Sequence, residues 1–225
     1  SWLCNMAYNN GNLAMPIFLF ISGTFNLLFI GRAIKDVRSR GLAISGSPSV
    51  AMLLTALAEL CWVLPCFVQC FLIYVGGGAA SDGDWSNETS FGCNFQGFYS
   101  VLGSVAGMLS STLLAIYTLK LSEASPGLDS IAQALPPKLT TTLLSAAIFG
   151  FAVVIALVPV FVTEGYVASG GGFCYLNWYE VGLSTMMFLI TLPAFLITVG
   201  TYCRVLSRGG WPNKLDVLLL LASFI

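Results

Sequence analysis

Histidine does not occur anywhere in the chain, and charge of either sign is scarce at 8% of residues. Histidine is the commonest metal ligand and the usual acid-base group near neutral pH. Its absence excludes histidine-ligated haem, most zinc sites and a Ser-His-Asp triad. No GxGxxG, GxxxxGK[ST] or HExxH occurs either, so nucleotide cradles and zinc-protease helices are excluded. No paired catalytic residues stand within the apolar segments. The expectation is that this is not an enzyme, with no metal, no cofactor and no nucleic-acid partner. The shortage of charge has a second consequence, because soluble domains carry roughly a quarter charged residues. With 57% hydrophobic residues and a mean hydropathy of +0.87, most of this surface must face lipid.

What is present is a series of long apolar runs. Five reach spanning length, at roughly Leu13–Ile30, Val50–Val75, Phe95–Leu121, Leu139–Val162 and Val181–Cys203. A spanning helix needs about 20 such residues. A partial sixth runs from Leu215 to Ile225, about half that length. The predicted fold class is therefore an all-α polytopic membrane bundle, one domain over residues 1–225. The chain starts at Ser1 and stops within an apolar run, which reads as part of a longer protein. No charged n-region and cleavage site precede the first run. The connections hold helix breakers: Ser45-Gly46-Ser47-Pro48, Gly76-Gly77-Gly78, Pro136-Pro137 and Gly170-Gly171-Gly172.

The 9 Lys and Arg are segregated. Arg32, Lys35, Arg38 and Arg40 follow the first run, Lys120 and Lys138 flank the third connection, and Arg204, Arg208 and Lys214 follow the fifth run. All fall in connections of one parity, which chance would produce about once in several hundred draws. The opposite connections hold Asp82, Asp84, Glu88 and Glu164 and no basic residue. The positive-inside rule then places the N-terminus outside, extracellular or lumenal, and the basic connections in the cytoplasm. Asn87-Glu88-Thr89 is a glycosylation sequon, and it falls in a connection that the charges place outside.

Cys93 and Cys174 both lie on that outer side, where disulfides persist. A bridge between them, pairing of one of them with Cys4, and two free thiols are the alternatives. Cys61, Cys66, Cys70 and Cys203 read as small apolar packing residues. Glu59 is the one acid deep in a run. A carboxyl there should face the bundle interior, with Asn26 as a hydrogen-bond neighbour, and serve either an ion or proton role or helix adhesion. Gly97, Gly103, Ser104, Ala106, Gly107, Ser110 and Ser111 make the third run smooth, which suits the most central helix. Trp62, Trp85, Trp178, Tyr74, Tyr99, Tyr166 and Tyr175 read as an interfacial belt. Pro65, Pro159 and Pro193 are each expected to bend a span.

Several stretches resemble G-protein-coupled receptors, the rhodopsin-like and cyclic-AMP-receptor-like branches in particular. Trp85…Phe91-Gly92-Cys93-Asn94-Phe95-Gln96-Gly97-Phe98 is similar to their first outer loop and third helix, where a tryptophan precedes a cysteine bridged to the second outer loop. Leu57-Ala58-Glu59-Leu60 resembles their second-helix acidic motif, and Asn26 their first-helix asparagine. Leu114-Ala115-Ile116 and Pro193 with Tyr202 resemble parts of their third and fifth helices. Where rhodopsin-like members carry Asp-Arg-Tyr, this chain reads Tyr117-Thr118-Leu119. The resemblance implies a seven-helix fold with about six helices present, a Cys93–Cys174 bridge, and an outer cavity between spans two, three and five. The expected partners are membrane lipids, a small-molecule or peptide ligand, and a G protein meeting a cytoplasmic face that includes Arg32, Lys35, Arg38, Arg40, Arg204 and Arg208. An accessory subunit of a larger membrane complex, packing against partners, lipids or pigments, is the alternative.

Overall fold

A computed structural model describes residues 14–40, 47–75, 91–123, 136–162, 164–169 and 173–207. Five long helices carry it. They are α1 (Ala14–Arg40), α2 (Ser47–Val75), α3 (Phe91–Glu123), α4 (Lys138–Leu157) and α5 (Val181–Ser207). Between α4 and α5 lies an antiparallel hairpin of β1 (Tyr166–Ser169) and β2 (Phe173–Leu176). The partial sixth span, Asp82, Asp84, Asn87, Glu88, Cys4, Arg208 and Lys214 lie outside the described residues, as do the side chains of Arg32, Arg38, Arg40 and Cys70.

All five predicted spans are helical, and α1, α2, α3 and α5 run past them at one end or both, whereas α4 stops at Leu157, short of the predicted Val162. α1 continues to Arg40, so Arg32, Lys35, Arg38 and Arg40 are helical rather than in a loop. No proline interrupts Arg32–Arg40, and cations at a helix C-terminus meet the negative end of its dipole. The same holds for α5, whose last turn carries Arg204. Phe91–Lys120, Leu139–Phe161 and Val181–Ser207 are each long and apolar enough to cross a membrane. Among the described residues, α1 and α2 contribute the shorter apolar stretches Leu19–Leu28 and Leu53–Val68.

α3 is the hub: it packs against α2, α4, α5 and both strands, while α1 packs against α2. The main core joins Ala58 of α2, Val101, Val105 and Ala106 of α3, Ala152, Ile155 and Ala156 of α4, and Leu183 and Met187 of α5. Small side chains dominate it. In lipid there is no hydrophobic gain from pairing helices, so close approach and dispersion hold them together. Two glycines of the smooth stripe are used this way. A Cβ on Gly103 would stand 2.6 Å from the Trp62 Cβ, and one on Gly97 would run into the Tyr166 ring. Ala106, Ser110 and Ser111 of the stripe are buried as well, whereas Gly107 and Ser104 depart from expectation: nothing lies within 4 Å of a Cβ built on Gly107, and Ser104 is exposed.

α4 ends where Pro159 enters, since proline offers no N–H to the ladder. The chain tightens into a 3-10 turn, Val158–Phe161, rather than continuing as a bent helix. It then reverses through Glu164, which takes a left-handed φ of 56°, and Gly165. A Cβ on Gly165 would run into the Pro159 carbonyl oxygen, so only glycine permits this close approach. The hairpin that follows pairs Tyr166 with Leu176 and Ala168 with Cys174. Nothing in the apolar patterning had announced strands here.

Candidate functional site

The end of the bundle that the charge rule places outside is built around the hairpin. Cys93, in the first turn of α3, is bonded to Cys174 of β2, with Cα atoms 5.1 Å apart. One turn further along α3, the Gln96 side chain is 1% exposed. Its Oε1 accepts a hydrogen bond from the Cys174 backbone N–H at 2.8 Å. The other strand is held separately. Tyr166 of β1 lies over Gly97, and its hydroxyl donates to the Ala156 carbonyl of α4 at 2.7 Å. Burial pushes the Tyr166 phenol above its ordinary range, so it remains a neutral donor. The hairpin base is closed by Asn177, whose N–H donates to Gly165 O at 2.9 Å and whose Nδ2 donates to Glu164 O at 3.0 Å. Thus one strand is fixed to α3 and the other spans from α3 to α4.

The predicted intramembrane pair is brought together. The Asn26 amide of α1 donates to the Glu59 carboxyl of α2, and both residues are half-buried. Cysteine behaves less uniformly than expected. Cys66 is buried against Leu19, Val63 and Tyr99, whereas Cys61 and Cys203 are exposed on the outer surface of the bundle. Exposure there places a weakly polar thiol against lipid, which tolerates it. The aromatic belt also needs correction. Trp178 is exposed near a helix end, but Tyr99 and Tyr166 are buried side chains of the outer core. Pro65 and Pro193 lie inside α2 and α5.

Toward the cytoplasmic end, by the charge rule, α3 carries a series of polar ties. Thr112 Oγ1 shares a bond with Thr198 Oγ1 of α5 at 3.0 Å and reaches the Ala194 carbonyl at 3.2 Å. Tyr117, which stands in place of the receptor motif, bonds Thr141 of α4 through its hydroxyl at 3.0 Å. At the helix ends, Arg204 Nη2 lies 3.3 Å from Glu123 Oε1. Lys35 is exposed on α1 and is not part of this cluster. Gln96, Tyr166, Thr112, Thr198, Thr141 and Glu123 were not predicted as site residues. Of these, Gln96 stood within the receptor-like stretch and Tyr166 in the expected aromatic belt; the others carried no signal. Among the described residues no group of three or more Cys, Asp or Glu side chains gathers that could hold a metal.

A helix hub with a hairpin disulfide-bonded to one end defines the class: an all-α integral multi-pass membrane bundle, similar in fold to a seven-helix protein. Among solved structures the chain is similar to squid rhodopsin, matched with a TM-score of 0.60 over 90% of this chain and 53% of that one, at 13% identity. The chain thus spans about half the length of the rhodopsin it matches, and at this identity the likeness is one of fold. No family model matches the chain, and no curated protein does.

Proposed function

We propose that the chain is the ligand-responsive core of a G-protein-coupled-receptor-like protein, with its N-terminus outside. The supporting observation is the hairpin anchored to α3 and α4 by Cys93–Cys174, Gln96 and Tyr166. A cover held at three points restricts what reaches the space between α2, α3 and α5. It also couples any ligand touching it directly to the hub helix. In this reading the ligand is a small molecule or peptide, and signalling is a shift between two packings of the bundle that the ligand binds unequally. Glu59 and Asn26 form the polar centre of the membrane half, where a carboxyl is costly unless neutral, paired or bound to a cation. Arg32, Lys35, Arg38, Arg40, Arg204 and Arg208 supply the cytoplasmic face for a G protein, and Asn87 carries a glycan. Because Tyr117-Thr118-Leu119 bonds laterally to α4 through Tyr117, that contact with a G protein must be made without an arginine on α3.

The test is thermal unfolding of the purified full-length protein in lipid nanodiscs against a panel of small molecules and peptides. A ligand present at 100 times its Kd stabilises by about 2.7 kcal/mol, a shift of several degrees. That shift should disappear in Gln96→Ala while folding persists. Retention of a stoichiometric membrane partner through purification, with no stabilising ligand, would instead support the accessory-subunit reading.

A further inference from the structure

The face of α1 that looks away from the bundle runs unbroken from its apolar part into its basic end. Ile17, Ile21, Thr24, Leu28, Gly31 and Lys35 are all exposed. They recur at alternating steps of four and three residues, which is one face of a 3.6-residue helix. The opposite face docks on α2, where Leu19 packs with Val63 and Cys66 and Asn26 bonds Glu59. At about 100° per residue, Arg32 and Arg38 stand about 60° to either side of Lys35. Arg40 stands about 140° away from Lys35, on the side of Asn26. Asp36 is the one acid in this basic end, so four cations face one anion there. Arg204 at the end of α5, by contrast, has Glu123 at 3.3 Å.

Depth matters as much as face. The apolar run Leu13–Ile30 covers about 27 Å as a helix, close to the roughly 30 Å of a hydrocarbon core. Arg32 therefore stands at the edge of the core. Lys35 and Arg38 follow about 4.5 Å and about 9 Å further along the axis, while a headgroup layer is only about 5–8 Å deep. Three cations are stacked through that layer and just past it, on the face that surrounding lipid touches.

We propose that Arg32, Lys35 and Arg38 bind one lipid whose headgroup is a phosphorylated inositol, with its acyl chains along Ile17, Ile21 and Leu28. A serine headgroup holds its net charge at one depth and meets one cation of the three. A phosphorylated inositol ring carries phosphates beyond the bridging phosphodiester and meets all of them. Of the cations assigned above to a G protein, these three are then engaged by lipid, and Arg40 remains for a protein partner. The contact follows from α1 as a helix in lipid and does not need the receptor reading; only the leaflet that supplies the lipid rests on the proposed topology.

The test titrates the full-length protein in micelles of uncharged detergent and counts bound lipid by mass spectrometry of the intact complex. Micelles have no sides, so a wrong topology leaves the result unchanged, and sidedness is read separately by thiol labelling. A lipid with a bisphosphorylated inositol headgroup should bind at least tenfold more tightly than phosphatidylserine. It should also bind at least tenfold more tightly than its own water-soluble headgroup. Lys35→Gln should weaken it about fivefold, the effect of one cation at an anionic surface. Arg40→Gln removes the same charge from the other side of the helix and should change it less than twofold. Glutamine is a good helix former, so α1 persists in both variants. Equal losses in the two variants, equal affinity for the two lipids, or equal binding by the free headgroup would overturn the proposal.

Discussion

At the scale of single residues, the close approaches are the sharpest determinants. A Cβ on Gly97 collides with the Tyr166 ring, and one on Gly165 collides with backbone. Overpacking of this kind costs about 1–3 kcal/mol. Gly97→Ala and Gly165→Ala should therefore lower the melting temperature by several degrees, while Gly150→Ala, with open space around it, should leave it unchanged or raise it. Equal effects at all three positions in a thermal unfolding series would contradict the packing described. Gln96→Leu has a different cause. It leaves the Cys174 N–H buried without its acceptor, a loss of about 1–3 kcal/mol, whereas Tyr166→Phe removes one hydroxyl bond worth about 1 kcal/mol. These sites were poorly legible in the sequence. The ring that Gly97 meets and the partner of Gln96 lie tens of residues away and leave no periodic trace.

Among elements, the hairpin and α3 act together. Replacing either Cys93 or Cys174 with serine should reduce stability or surface expression by the same amount, because each removes one bond. In the chain-entropy view, closing an interval of 81 residues is worth roughly 2–4 kcal/mol after allowing for a membrane-restrained unfolded state. Unequal losses for the two serine variants, measured side by side, would mean that one thiol has another role. Thr112→Val tests the α3–α5 seam; membrane hydrogen bonds average about 0.6 kcal/mol, so a double-mutant cycle with Thr198→Val should return a coupling of that size. The helices themselves were readable from apolar run length. Their ends were not, since Arg32–Arg40 is charged yet helix-forming, and hydropathy reports lipid contact rather than backbone conformation. The hairpin was invisible for a related reason. Its strands are only four residues each, and the glycines between them read as an ordinary breaker.

Over the whole molecule, the segregation of all 9 basic residues and the bundle fold describe the same object from two sides. The multi-pass helical bundle was legible because membrane insertion imposes length and charge rules that act on composition directly, whereas the seven-helix arrangement came only from the resemblance. Sidedness remains testable on its own. A membrane-impermeant thiol reagent on intact cells should label a cysteine placed at Asp84 and spare one placed at Lys35. Glycosidase treatment should increase mobility on a gel for the native chain and not for Asn87→Gln. Labelling of both positions from one face would refute the topology.

The bond between α3 and the hairpin also sets an order of events during synthesis. Cys93 leaves the ribosome 81 residues before Cys174, which at about 5–20 residues per second is a wait of roughly 4–16 s. Under the proposed topology the hub helix carries, for that interval, an unmated thiol in an oxidising compartment, beside whatever earlier cysteine has already crossed. A pulse-chase under mild oxidation should therefore trap mixed disulfides on Cys93 in chains that stop before β2 and release them in chains that include it. Maturation of this protein is thus a race between α4 insertion and premature thiol capture.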